Sequence, residues 1–101
     1  MEMSIRNEAD FTIIKFNKKT LLGTESLEFQ SNLINVLDNG VNSVVVDLSM
    51  VDYVTSWAIG MLVHAFTTTI NRNSRFVLKG VNQKVKDTLI KIRLDKVFEI
   101  R

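Results

Sequence analysis

Thr55 and Ser56, adjacent hydroxyls followed at once by Trp57, the only tryptophan in the chain, are the residues best placed to do chemistry. They stand in "VVVDLSMVDYVTSWAIGMLVHAF", residues 44–66, between an apolar β-branched run and a run with helical apolar spacing. A serine at a helix start can cap the helix, accepting from the backbone N–H of Ala58 or Ile59 and satisfying one donor that the first turn leaves orphaned. It can also carry a phosphate, because a helix N-terminus is worth about 0.3–1 kcal/mol to a negative charge. Capping is the simpler account of Ser56 taken alone.

Nucleophilic catalysis would instead need Ser56, His64 and an aspartate such as Asp47 or Asp52. His64 falls two turns along the expected helix and on its outer face, roughly 10 Å or more from Ser56 and beyond hydrogen-bond reach. The sequence has no Gly-x-Ser-x-Gly elbow, P-loop or metal-ligand cluster, so no catalytic residue, metal or cofactor is expected. Asp47 and Asp52 flank one strand-end loop but are too few for a Mg²⁺ site. Asp47 is expected to shape by hydrogen bonding the loop that carries Ser56. A phospho-aspartate domain would need an acidic pair near the first strand, where only Asp10 stands.

The elements that must position these residues follow from periodicity. "DFTIIKFN" reads as a strand with two unequal faces, and "KKTLLG" as a short partner in a hairpin or as its bent continuation. Between Thr24 and Asp38, residues Phe29, Leu33, Val36 and Leu37 share one helical stripe, with Thr24 or Ser26 as N-cap candidates and "DNG" as the stop. "SVVVDLS" is β-branched at consecutive positions, the mark of a strand buried on both faces at the centre of a parallel sheet. Residues 57–72 return to helical spacing. "RFVLKGV" adds a strand, "NQKVKDTLIKIRL" a helix capped by Asn82, and "VFEI" offers a last short strand. The order is ββαβαβα(β), which implies right-handed crossovers and a mixed, mostly parallel sheet of four to five strands covered by three helices.

On the second helix, Ile59, Leu62, Val63, Phe66 and Ile70 form the stripe expected to pack on the sheet. Trp57, Met61, His64 and Thr68 then point outward. Trp57 either folds against a neighbouring loop or offers a contact surface, since exposed tryptophans are enriched at binding hot spots. Gly60 costs the helix roughly 1 kcal/mol relative to alanine, which suggests close approach by the sheet or by a partner.

Composition narrows the class of protein. With 101 residues, 46% hydrophobic and 24% charged, one compact domain over residues 1–101 is expected, with little room for a deep substrate cavity. The start lacks an apolar leader core, and the longest apolar run, Trp57 to Val63, is far short of the roughly 20 residues that span a bilayer. A soluble, cytoplasmic protein without membrane insertion is the expectation, and the absence of cysteine suits a reducing compartment. Charge is uneven: residues 1–71 hold four Lys/Arg against eight Asp/Glu, residues 72–101 nine against three. The cations are dispersed among apolar residues, which reads first as a solvated helix face rather than a nucleic-acid surface.

"VVVDLSMVDYVTSWAIGMLV" resembles the core of STAS domains, in particular the anti-sigma factor antagonists. There an Asp-Leu-Ser-like strand end leads to an Asp-Ser-Ser-Gly-Leu-Gly-like helix start. "RFVLKGVNQKVKDTLIKIRLDKVFEI" is similar to the family's closing strand, helix and short strand. The resemblance implies a phosphoacceptor at Ser56, and Ile59-Gly60 match the Leu-Gly that follows. The sequence departs with Thr55 for Asp, Trp57 for the second Ser and Ala58 for Gly, and with "LLGTES" before the first helix. The resemblance implies no enzyme activity. It implies a protein that binds an anti-sigma factor serine kinase through Thr55, Ser56, Trp57, Gly60 and Met61, frees a sigma factor, and is switched off by phosphorylation. Two alternatives stay open, a self-associating scaffold subunit of a stressosome-like assembly and an unphosphorylated adaptor of a membrane transport complex.

Overall fold

The computed structural model describes residues 2–101. Among the described residues, seven strands and three helices follow one another as β1 (Met3–Asn7), β2 (Phe11–Phe16), β3 (Thr20–Leu21), α1 (Ser26–Asp38), β4 (Ser43–Asp47), β5 (Tyr53–Val54), α2 (Ser56–Asn71), β6 (Arg75–Lys79), α3 (Gln83–Lys91) and β7 (Glu99–Ile100), with a 3-10 turn at Leu94–Lys96. Five strands form one sheet in the order β1-β2-β4-β6-β7. Only the β1–β2 pair is antiparallel. The architecture is the mixed, mostly parallel α/β sheet with three helices that the periodicity implied.

The hairpin is made differently from expectation. β2 pairs with the upstream β1, Met3 opposite Phe16, while "KKTLLG" supplies β3, which pairs in parallel with β5 as a separate two-stranded sheet. The reason is period and length. "MSIRN" alternates apolar and polar residues over only four positions, a weak signal. β3 is too short to hold a hairpin and is fastened by Asp52 and Tyr53, whose N–H groups both donate to the carbonyl of Lys19.

One face of the large sheet carries the core. Ile14, Phe16, Val44, Val46, Phe76 and Leu78 cluster with Phe29, Leu33 and Leu37 of α1, Ala58, Leu62 and Ala65 of α2, and Val85 and Leu89 of α3. Phe16 and Phe29 meet at 5.2 Å between ring centroids, and Phe66, Phe76 and Phe98 form an edge-on aromatic group. Val45, between two fully buried valines, is only half-buried on the opposite face. The β-branched run therefore marks a central parallel strand, but helices cover it from one side.

Candidate functional site

The loop after β4 begins at Asp47, whose Oδ1 accepts the N–H of Ser49 at 2.8 Å. Leu48 and Val51, both fully buried, pin the turn from below. From the other side, Asn82, which caps α3 by accepting from Val85 N–H, donates to the carbonyl of Val51 at 3.1 Å. The chain then passes through β5 and enters α2.

The N-cap of α2 is Thr55. Its Oγ1 accepts from Ala58 N–H at 3.0 Å and donates to the carbonyl of Leu22 at 2.7 Å, and its own N–H donates to the carbonyl of Leu21 at 3.1 Å. This corrects the capping role expected of Ser56. The helix starts one residue earlier than that role requires, because the β3–β5 pairing holds Thr55 in extended backbone while Ser56 already has helical geometry. Ser56 is exposed, and its hydroxyl has no hydrogen-bond partner among the described residues. One hydroxyl of the pair is structural and the other is free.

Trp57 combines the two alternatives left open by the sequence. It is 68% exposed, yet its base lies over Gly23, where an added Cβ would sit 2.7 Å from Trp57 Cγ. Gly23 also has φ +102°, a conformation that a side chain disfavours. Gly60 is exposed, and an added Cβ there would meet nothing within 4 Å. The sheet therefore does not explain it.

Met61 differs from its expected outward position. It is 7% exposed, because α1 packs along that flank of α2 and widens the buried arc beyond the sheet-facing stripe. Trp57 and His64 are exposed as the spacing implied, Thr68 is half-buried, and Ile70, in the last turn, is 45% exposed instead of packed. Between α1 and α2 runs a groove of about 330 Å³. Leu27 on α1 and Trp57 on α2 form its walls, with Gly60, Met61 and His64 along α2. Leu27 is 87% exposed.

Sequence reasoning missed the support under this patch. Glu25, the residue before α1, is 8% exposed; its carboxylate accepts from Gly23 N–H at 2.8 Å and pairs with the Lys18 ammonium. Burial by itself pushes the Glu25 carboxyl up, but the Lys18 hydrogen bond, with the backbone N–H groups of Glu25, Gly23 and Leu22, holds it below its ordinary value. The Glu25 hydrogen bond in turn raises Lys18, against a lesser opposing effect of burial. The signal available was Gly23 followed two residues later by an acid in "LLGTES". Among the described residues no group of three or more His, Cys, Asp or Glu could hold a metal ion.

A one-sided α/β sheet thus presents a free serine, a tryptophan and an open glycine at one helix start. The model of the STAS domain family matches residues 2–101, and the chain belongs to that family. Among curated proteins none matches the chain. Among solved structures it is similar to a putative anti-sigma factor antagonist from Thermotoga maritima, at 24% identity and TM-score 0.85, covering 97% of this chain and 84% of that one. The anti-sigma factor antagonist SpoIIAA in its unphosphorylated form is 8% identical with TM-score 0.74 over 98% and 86% of the two chains. A component of the stressosome, a signal integration and transduction hub, is 20% identical with TM-score 0.74 over 96% and 85%. At these identities the likeness is one of fold. Among the described residues no helix is long and apolar enough to cross a membrane.

Proposed function

We propose that this STAS domain is a cytoplasmic anti-sigma factor antagonist. It binds an anti-sigma factor that is itself a serine kinase through the start of α2, and phosphorylation of Ser56 breaks the complex. The observation that carries this reading is the division of labour between the hydroxyls: Thr55 is spent on the cap and the Leu22 carbonyl, while Ser56 is exposed and unengaged. A phosphate on Thr55 would cost the helix its cap. On Ser56 it meets the N-terminal end of the α2 dipole and leaves the fold intact.

Trp57, Gly60 and the margin of Met61, with Asp47 holding the preceding loop, form the contact surface in this reading. A phosphate of charge near −2 in a desolvated interface costs several kcal/mol unless the partner supplies cations, and each 1.4 kcal/mol is tenfold in affinity. A hundredfold switch needs no larger conformational change. The likeness to a stressosome component supports a second reading, a self-associating scaffold subunit, which would run as a large assembly in solution.

The test is the intact mass of the protein isolated from its own cells, with peptide mapping across residues 50–70 and the same measurement on Ser56→Ala. A gain of one phosphate that maps to Ser56 and vanishes in the variant is expected. A protein unmodified in every growth condition, with partner binding intact, would overturn the switch and favour the scaffold.

A further inference from the structure

The cations of the last third of the chain are left unused by the site at α2, and the structure groups them. Lys84, Lys86, Lys91, Arg93 and Lys96 are all exposed on α3 and the 3-10 turn after it. None takes part in an ion pair among the described residues, unlike Lys18, Arg72, Arg75 and Arg101. The acid nearest the middle of this stretch, Asp87, accepts a hydrogen bond from Gln83 instead. With Asp87 and Asp95 as its only acids, the stretch from Gln83 to Val97 carries five cations against two anions, a net +3.

Apolar side chains stand among these charges. Ile90 is 44% exposed, Ile92 50% and Val97 45%. Val85 and Leu89 turn α3 toward the core, and helical geometry then places Asp87 at the middle of the outer arc, with Ile90 and Lys86 to one side and Lys91 and Lys84 to the other. The rest of the chain carries eight cations against nine acids, a net −1, with the acids concentrated in residues 1–71, which hold eight against four cations. That asymmetry orients the protein toward an anionic surface with α3 leading.

We infer that α3 and the turn after it form a peripheral docking face for an anionic lipid surface, independent of Ser56 and of the partner bound there. The chemistry selects lipid over nucleic acid. Phosphate backbones need the cations alone, whereas half-exposed isoleucines flanked by long cationic side chains suit the boundary between headgroups and acyl chains. Lysine and arginine stems can extend to the headgroups while Ile90 dips below them. Each such cation strengthens attraction to an anionic leaflet by about fivefold at low salt.

The test is co-sedimentation of the full chain with vesicles of phosphatidylcholine alone and with vesicles about one-third phosphatidylglycerol. Binding is expected to the anionic vesicles only, and to fall steeply as salt rises. Lys91→Gln/Arg93→Gln and Ile90→Ser/Ile92→Ser should each lose roughly tenfold or more, with circular dichroism unchanged because the replaced side chains are exposed. Three results would overturn the inference. One is no binding to anionic vesicles at low salt. Another is binding indifferent to both double variants. The third is equal binding to a short DNA duplex that only the Lys/Arg variant weakens, which would make the face a nucleic-acid surface.

Discussion

At the scale of single residues, the two hydroxyls should separate cleanly in stability. Thr55→Ala loses the cap of α2 and the bond to Leu22, so a cost of about 1–2 kcal/mol is expected in urea unfolding. Ser56→Ala should stay within about 0.5 kcal/mol of the parent, as surface changes do. The reverse ranking would return the cap to Ser56. Gly60→Ala puts a methyl group into open space, so it should stabilise α2 by about 1 kcal/mol, read as a higher Tm. If a partner's backbone approaches there, affinity falls in the same variant that gains stability, and calorimetric titration with that partner would show the two effects parting. The position of the hydroxyl pair was legible in the sequence because both neighbours carry strong local patterns. Which hydroxyl does which task was not, since that turns on a one-residue shift of helix onset set by the β3–β5 pairing.

At the scale of elements, the loop between β3 and α1 and the start of α2 behave as one unit. Thr55 bonds to the backbone of Leu21 and Leu22, and Trp57 lies over Gly23. Gly23→Ala would both strain a backbone at φ +102° and push against the indole. A loss of about 1–3 kcal/mol is expected, with a shift in the emission of the lone tryptophan measured under native conditions. An unchanged spectrum and an unchanged unfolding midpoint would show that the loop does not position Trp57. The burial of Met61 belongs to this scale as well. A stripe drawn from one helix considers one covering surface, and α1 supplies a second.

At the scale of the whole molecule, stability should follow pH through Glu25. Its carboxyl titrates below the ordinary value of 4.5 in the folded protein, so the stabilisation is fully present above that value and is lost as pH falls through the lower, folded one. Glu25→Gln should flatten this acid limb of a denaturation-versus-pH series and cost about 2 kcal/mol at neutral pH, where Lys18 keeps only the exposed Glu2 as a charged partner. A parallel acid limb in the variant would place the linkage elsewhere. Lys18, raised above 10.5 mainly by the same hydrogen bond, adds the mirror effect: its contribution holds below that value and disappears as pH rises through the folded one. By itself the sequence determined the three helices, the central parallel strand, the Asn82 cap and the place of the hydroxyl pair, because periodicity, propensity and capping act over a few neighbouring residues. Only the tertiary structure decided the β1–β2 hairpin, the open face of the sheet, the burial of Met61 and the seat of Trp57 on Gly23. Those depend on contacts between segments far apart in the chain, and such contacts leave no local pattern from which to read them.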